Sequence, residues 1–455
     1  MGLAVCGTGS GVGKTTITAG LMAALRKRGF SVQPFKCGPD FIDPGHHARV
    51  CGRPSHNLDT WLLSPDRNKE LFAEASAGAD VAIVEGMMGL FDGVRGRGEE
   101  GSSAEIAKLV GLPVILVVEA SSAARSVAAI IHGFRTFDPS LRFAGVILNR
   151  VAGASHARLL SEAVSELDPI LPVGWIPADE QIELKERHLG LQTASERSWT
   201  QAAIDRLISL VEAGVPVDDM LKNCTTPLPA NHRETDVPAS VLARIGVARD
   251  RAFCFYYEAA LGELRRQGAE LVEFSPLSDS RLPENLDGLY FGGGYPELYA
   301  EILSSNHTLI TDLRNFAQTG HPIYGECGGL MFLGRQLVTR DGKLWPMADL
   351  LPLSVEMTER LVHFGYAEIR FLEDGLAEKN TCLRGHSFHY SRIQEEGRVE
   401  KRALVRYSLS GEDQPEGFTC GNVFGSYIHL HFAAAPLMVR RFITMARACR
   451  SEAQP

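Results

Sequence analysis

The sequence predicts an α/β protein of two domains, each built on strands that alternate with helices. Three observations carry this. The first half alternates short β-branched runs with stretches of helical spacing. A glycine-rich loop joins the first run to the first helical stretch. Far downstream, beyond a stretch of linker composition, a second strand–turn–helix pattern is centred on Cys327.

The elements follow in order. Leu3 to Cys6 is a short strand running into the loop. Thr15 to Arg28 has helical spacing and stops at Gly29. Ser31 to Pro34 opens a second strand. Val81 to Val84 is a third, ending at Glu85. Val114 to Val118 and Gly145 to Leu148 are a fourth and a fifth. Apolar runs without polar alternation belong to strands buried on both faces, hence to a parallel sheet between helices. The pattern weakens from 200 to 240, and Thr225 to His232 has linker composition. A new alternation starts at Arg244 to Ala248 and continues through Leu289 to Phe291, Pro322 to Tyr324 and Phe424 to Ile428. The predicted domains are therefore 1–200 and 241–445, with a linker at 201–240.

Bulk properties narrow the partners. The chain has 455 residues, 45% hydrophobic and 22% charged, which is ordinary for a soluble globular protein. A net charge of −9 argues against a nucleic-acid partner, because phosphate backbones want clustered Lys and Arg. No apolar run reaches bilayer length, so no membrane partner is expected. The chain opens directly into a strand, which argues against a signal peptide. The nine cysteines form no C-x-x-C pair, so neither a zinc ribbon nor a disulfide scaffold is indicated. Such usage suits a reducing compartment, and a cytoplasmic location is expected. A homodimer is compatible with the sequence.

The loop Gly7-Thr8-Gly9-Ser10-Gly11-Val12-Gly13-Lys14-Thr15-Thr16 reads as a phosphate cradle. Glycines let backbone N–H groups turn onto phosphate oxygens, Lys14 reaches the terminal phosphates, and the Thr15 hydroxyl suits Mg2+. The following helix points its positive end at the anion. ATP contacts are expected from Gly9, Gly11, Val12, Gly13, Lys14, Thr15 and Thr16. Gly7 lies one residue too far upstream for G-x-x-x-x-G-K-T, and Thr8 takes its place. That stretched spacing resembles the dethiobiotin synthetase-like branch of the P-loop NTPases.

Mg2+ also wants carboxylates at strand ends. Asp40, Glu85 and Asp92 are the candidates, Glu85 directly after a strand and the other two in Gly/Pro loops. Each could instead cap a turn or helix. Thr15, Asp40 and Glu85 make the expected metal set. Lys36 could place a second positive charge on a transferring phosphoryl group. Asn149, ending the fifth strand, is a reasonable adenine contact, or a structural residue. His46 and His47 are adjacent and so do not share one face of a regular element; they read as local polar residues.

Gly325-Glu326-Cys327-Gly328-Gly329 follows an apolar run and precedes Leu330 to Leu333. That is an elbow, with Cys327 as the nucleophile in strained backbone and glycines removing clashes. The helix start favours the thiolate. A base is needed, and His429 and His431 lie on the same side of one strand, so the spacing does not choose between them. Gly292, Gly293 and Gly294, after another strand, suit an oxyanion hole.

Taken together, these motifs resemble the cobyrinic acid a,c-diamide synthase family over nearly the whole chain. The most specific pieces are Lys36 to Pro44, Glu85 to Gly93, Gly292 to Pro296, Gly325 to Gly329 and Gly425 to Phe432. The resemblance implies a P-loop synthetase domain and a flavodoxin-like class I glutamine amidotransferase domain. It implies a tetrapyrrole acid as substrate, ATP and glutamine as cosubstrates, and Mg2+. It makes Cys327 the glutamine nucleophile and His429 its base. Class I amidotransferases mostly carry glutamate two residues after that histidine; here His431 stands there, a gap the family shares. The gap implies a less activated thiol and room for free ammonia. Lys36, Asp40, Phe41, Ile42 and Asp92 fall in the substrate and activation environment. Relatives often have tyrosine and leucine at the positions of Phe41 and Ile42, which leaves the role of Phe41 in substrate recognition open.

Nickel-sirohydrochlorin and hydrogenobyrinic acid a,c-diamide synthases share the architecture, and the sequence does not separate them. A regulatory P-loop ATPase with an inert thiol domain is the reading from another class. Such ATPases usually carry lysine two residues before Gly11, where Gly9 stands.

Overall fold

A computed structural model describes the chain apart from residues 184–185, 188–189, 192–198, 225–226, 229–239, 396, 398, 410 and 453–455. Two compact units emerge, Met1–Arg233 and Glu234–Pro455.

The first unit runs β1 (Gly2–Gly7), α1 (Lys14–Lys27), β2 (Val32–Cys37), α2 (Asp43–Cys51), β3 (His56–Leu58), α3 (Pro65–Ala75), β4 (Val81–Glu85), α4 (Ser103–Leu109), β5 (Val114–Glu119), α5 (Ser126–Phe137), β6 (Phe143–Val151), α6 (Ala154–Leu167) and β7 (Val173–Pro177). Two short strands, β8 (Glu186–Arg187) and β9 (Gly190–Leu191), precede α7 (Gln201–Gly214) and α8 (Val217–Lys222). The seven main strands form one sheet in the order β3-β2-β4-β1-β5-β6-β7, and every pairing is parallel. Central strands β1, β4 and β5 are buried almost throughout, which is why they read as unbroken apolar runs. The order changes direction around β1, so the C-terminal ends of β1, β2 and β4 open onto one crevice.

The expected linker at 201–240 is corrected in its first part. Ala203, Leu207, Ile208 and Val211 form an apolar stripe along α7 and join the core that includes Ile17 and Leu21 of α1. Most of the proline-bearing remainder, 225–226 and 229–239, lies outside the described residues.

The second unit begins with β10 (Ala243–Ala248), α9 (Glu258–Arg266), β11 (Ala269–Phe274), β12 (Gly288–Phe291), α10 (Ala300–Ser305), α11 (His307–Gln318), β13 (Ile323–Glu326) and α12 (Gly328–Leu333). There follow β14 (Gln336–Val338), β15 (Leu344–Pro346), β16 (Leu353–Met357), β17 (His363–Phe371), β18 (Cys382–His389), β19 (Ser391–Glu395), β20 (Glu400–Tyr407), β21 (Asp413–Cys420), β22 (Val423–Ser426), β23 (His429–Leu430) and α13 (Pro436–Glu452). The parallel portion is β11-β10-β12-β13-β22. Beyond β22 the sheet continues antiparallel through β21, β20, β17 and β18 to β23. Only Tyr427 and Ile428 separate β22 from β23. The antiparallel strands thus come back on themselves beside Cys327. This extension goes beyond the parallel strands read from sequence.

Candidate functional site

The first site is built on the loop between β1 and α1. Gly11 and Gly13 take φ of 74° and 92°, the left-handed region that glycine enters without strain. Gly13 is further constrained, because a Cβ there would stand 2.1 Å from Asn149 Nδ2. Asn149, near the end of β6, donates to Val12 O at 2.9 Å, and Arg150 Nη1 donates to Gly11 O at 3.0 Å. Asn149, read as an adenine contact or a structural residue, braces the loop through this bond. Lys14 opens α1, and its Nζ donates to Gly9 O at 2.8 Å. Burial first, and the charge of Lys36 second, push the Lys14 amine down from its ordinary value. An open cavity of about 720 Å³ has Gly11, Gly13, Lys14, Thr15, Thr16, Lys36, Asp40, Asp43 and Glu85 in its wall. Val12 is buried.

In the wall of this cavity lies a compact set of charges. Thr15 Oγ1 donates to Glu85 Oε1 at 2.8 Å and to Asp43 Oδ2 at 3.2 Å. Lys36 Nζ donates to Asp43 Oδ2 at 2.5 Å and to Glu85 Oε1 at 2.8 Å. His47 Nε2 lies 2.6 Å from Glu85 Oε2. Burial would raise the Glu85 carboxyl, but Lys36 and His47 outweigh it and hold Glu85 well below the usual carboxylate range. Burial also disfavours charge on Lys36, yet Asp43, Glu85 and Asp40 together hold its ammonium well above its ordinary value. Asp43 is pushed up by burial first and by Asp40 next.

Asp40, expected to bind metal, mainly orders the loop. Its Oδ1 accepts from the N–H groups of Ile42 and Asp43 at 2.8 and 3.0 Å, and its Oδ2 stays 3.7 Å from Lys36 Nζ. Asp43, three residues on, is the carboxylate that reaches Thr15. Sequence reasoning passed over it, although an acid beside Pro44 at a helix start was a visible signal. His47, read from sequence as a local polar residue, is buried inside α2 against Glu85. Phe41 and Ile42 are half-buried in the turn leading into α2. Asp92 is exposed, and its Oδ2 accepts from Gly89 N at 2.7 Å, a turn-capping contact.

The donor set suits a hard cation. A hydroxyl and two carboxylates supply oxygen ligands, as Mg2+ prefers when substrate phosphates complete its shell. Among the described residues no group of three or more His, Cys, Asp or Glu forms a metal cage by itself.

The second site lies between β13 and α12. Cys327 takes φ 47° and ψ −101°, a conformation that costs a non-glycine residue energy and marks a constrained turn. Its N–H donates to Ser426 O at 2.8 Å. Gly329 and Gly325 are tightly enclosed: a Cβ on the first would meet Phe291 O at 2.2 Å, and on the second Leu333 Cδ1 at 2.6 Å.

His429 reaches Cys327 from β23 and makes a side-chain hydrogen bond with it. Burial would lower this imidazole, but Cys327 and Glu326 outweigh it and raise it to about 9. His431 is instead stacked on Tyr257, centroids 4.6 Å apart. The structure therefore separates two histidines that spacing left equivalent. Of the glycine run, Gly292 N already donates to the Tyr256 hydroxyl at 2.8 Å. Gly293 leaves room for His429, since a Cβ there would stand 2.4 Å from its Cε1. Gly294 N lies beside the elbow, 2.9 Å from where a Gly328 Cβ would be.

The other buried thiols are different. Burial pushes Cys37 and Cys51 up to about 12 and Cys224 up to about 11. These behave as small apolar groups. No helix among the described residues is long and apolar enough to cross a membrane.

Residues 3–191 match the family described as the CobQ/CobB/MinD/ParA nucleotide binding domain. Residues 244–437 match the CobB/CobQ-like glutamine amidotransferase domain. The cobyrinate a,c-diamide synthase of Syntrophotalea carbinolica is 42% identical over 452 residues, 98% of each chain. That of Priestia megaterium is 40% identical over 454 residues, 99% of this chain and 98% of its own. That of Salmonella typhimurium is 41% identical over 448 residues, 97% of each.

Proposed function

We propose that this chain, which belongs to the cobyrinate a,c-diamide synthase family, amidates the a and c side-chain carboxylates of cobyrinic acid through acyl phosphates. It is a carbon–nitrogen ligase carrying a nucleotide-binding domain and a glutamine amidotransferase domain. The observation that carries the finer reading is the coexistence, on one chain, of the Cys327–His429 pair and a phosphate loop whose Thr15 meets Asp43 and Glu85.

At the thiol site, the Cys327 proton moves to His429 and the sulfur attacks the glutamine side-chain amide. The proton passes to the departing nitrogen, ammonia leaves, and a thioester remains. Water then releases glutamate and restores the thiol.

At the phosphate site, a carboxylate oxygen of the tetrapyrrole attacks the γ-phosphorus of ATP, giving acyl phosphate and ADP. Ammonia attacks the acyl carbon and inorganic phosphate leaves. Activation is needed because carboxylate oxygen is a very poor leaving group. Gly11, Gly13 and Thr16 line the phosphates' position, Lys14 and Lys36 offset charge on the transferring group, and His47 keeps Glu85 oriented. Thr15, Asp43 and Glu85 would hold Mg2+, which when bound neutralises phosphate charge.

The test is mass spectrometry of a reaction containing cobyrinic acid, ATP, Mg2+ and glutamine. Two successive replacements of OH by NH2 support the reading. Activity on nickel-sirohydrochlorin with none on cobyrinic acid would replace the substrate, and ATP hydrolysis indifferent to glutamine and to any tetrapyrrole acid would overturn the function.

A further inference from the structure

A histidine that takes a proton from a thiol works best when its second nitrogen is held, so that the ring keeps one tautomer and one orientation. In this chain the residue two places after His429 is another histidine, turned into a stack on Tyr257. No carboxylate reaches His429 from there.

One reaches it from the other direction. Glu326 ends β13, directly before Cys327, and is 2% exposed. Its Oε2 stands 3.6 Å from His429 Nδ1. That is an ion-pair distance, longer than a hydrogen bond, in a geometry that commonly tightens when substrate binds. Because the chain turns sharply at Cys327, the side chains of two consecutive residues meet the same imidazole.

The carboxylate is held as an acceptor on every side described. Tyr324 Oη donates to Oε1 at 2.7 Å, Leu430 N donates to Oε1 at 3.1 Å, and Tyr290 Oη donates to Oε2 at 3.1 Å. Burial first, and Glu326 next, push both phenols well above their ordinary values, so they remain donors. Donors of this kind fix the orientation of the carboxylate. Leu430 follows His429 in the chain, so one hydrogen-bond frame fixes both base and acid. The remaining neighbour is neutral: His386 stacks on His429 with centroids 4.9 Å apart, its Nδ1 lies 3.1 Å from Tyr257 Oη, and burial keeps it well below its ordinary value. Glu326 is thus the carboxylate that faces His429 Nδ1.

We propose that Glu326 is the positioning residue of the thiol site, holding the Nδ1–H of His429 and balancing the imidazolium formed when the Cys327 proton moves to the ring. The Cys–His–Glu relay is completed by the residue preceding the nucleophile. Glu326 takes no proton; it stays a carboxylate while the proton goes from sulfur to His429 and on to the leaving nitrogen. The inference rests on reading Cys327 and His429 as the glutamine-hydrolysing pair.

The test compares Glu326→Gln with the unaltered full-length protein, reading iodoacetamide alkylation of Cys327 at neutral pH by peptide mass spectrometry. Glutamine is isosteric; its single oxygen keeps the contacts of Tyr324 and Leu430 at the Oε1 position or that of Tyr290 at the Oε2 position, and the change removes the charge. Alkylation is expected to slow by about tenfold, the consequence of one unit lost from the imidazole's proton affinity. In a His429→Ala background the same substitution is expected to do nothing, because Glu326 acts through that ring. Equal rates in the folded single variant and wild type, or an equal fractional loss in both backgrounds, would overturn the proposal. Should Glu326→Gln not fold, the wild-type protein decides: nitrogen-15 NMR is expected to show a far-downfield Nδ1 proton that vanishes in His429→Ala, and its absence in wild type refutes the contact. The functional reading fails separately. Wild type that never hydrolyses glutamine, even with ATP and tetrapyrrole acid present, sinks that reading, whereas slowed alkylation in Glu326→Gln would still establish the coupling.

Discussion

Thr15 Oγ1 donates to Glu85 Oε1 at 2.8 Å, joining the start of α1 to the end of β4 across 70 residues of sequence. The contact ties the phosphate loop to the strand-end carboxylate. It also sets the energetics of the cluster, because Glu85 simultaneously holds Lys36 and His47.

Glu85→Gln is therefore expected to be costly to the fold as well as to activity. It removes the carboxylate that pairs with a buried ammonium and leaves Lys36 with Asp43 and the more distant Asp40. Breaking a buried ion pair by removing one partner typically costs about 3–5 kcal/mol. Chemical denaturation followed by a probe in residues 1–233 measures it. A loss well under 1 kcal/mol would mean that the network contributes little to the stability of this unit.

The two sites should separate genetically. Lys14→Ala is expected to stop amidation with either glutamine or ammonia, because both routes need the phosphorylated acid. Cys327→Ala is expected to abolish glutamine use while ammonia-dependent amidation persists. Steady-state rates with each nitrogen donor check both. A folded Cys327→Ala protein inactive with ammonia would contradict the division of roles.

What the sequence showed, and what it hid, follows from where the information lies. Lys14, Thr15 and Cys327 were legible because their chemistry demands local glycine patterns, and such patterns survive without any knowledge of tertiary contacts. Asp43 was not, because it shares one short loop with Asp40. Backbone donors choose between them: the N–H groups of Ile42 and Asp43 claim Asp40 Oδ1, leaving Asp43 free to reach Thr15. Glu326 was hidden by its neighbour. Its role exists only because β23 brings His429 across the sheet, a relation no spacing encodes. The helices within 201–222 were written plainly in an apolar stripe, but the proline-rich stretch after them dominated the composition of the window. The antiparallel strands β17, β18, β20 and β21 were lost because partly exposed residues dilute their alternation.

Gly293→Ala probes the room made for the base. A methyl group at this position would come within 2.4 Å of His429 Cε1, so either the ring or the glycine loop must shift. Displacing a catalytic group by about 1 Å commonly costs on the order of 10²-fold in rate. Glutamine-dependent amidation is expected to fall by about that factor, with the ammonia-dependent rate little changed. Equal losses with both donors would place the damage in general folding.

Stability should depend on pH in a way that two histidines set in opposite senses. His389 is buried, stacked on Tyr427 at 3.7 Å, and donates through Nδ1 to Ser391 O at 2.9 Å. Burial lowers it to about 3 from its ordinary 6.5. Between those values the unfolded chain binds a proton that the native state refuses. Stability is then lost as pH falls from 6.5 towards 3, with a slope approaching about 1.4 kcal/mol per pH unit for this one group. His429 works the other way. Its folded value is raised to about 9, so the stability it contributes is complete below 6.5 and disappears as pH rises through 9. Urea unfolding across this range is expected to show the acid slope diminished by about one proton in His389→Leu and the alkaline slope diminished in His429→Gln. Slopes identical to wild type in both variants would show that neither imidazole differs between the folded and unfolded chain.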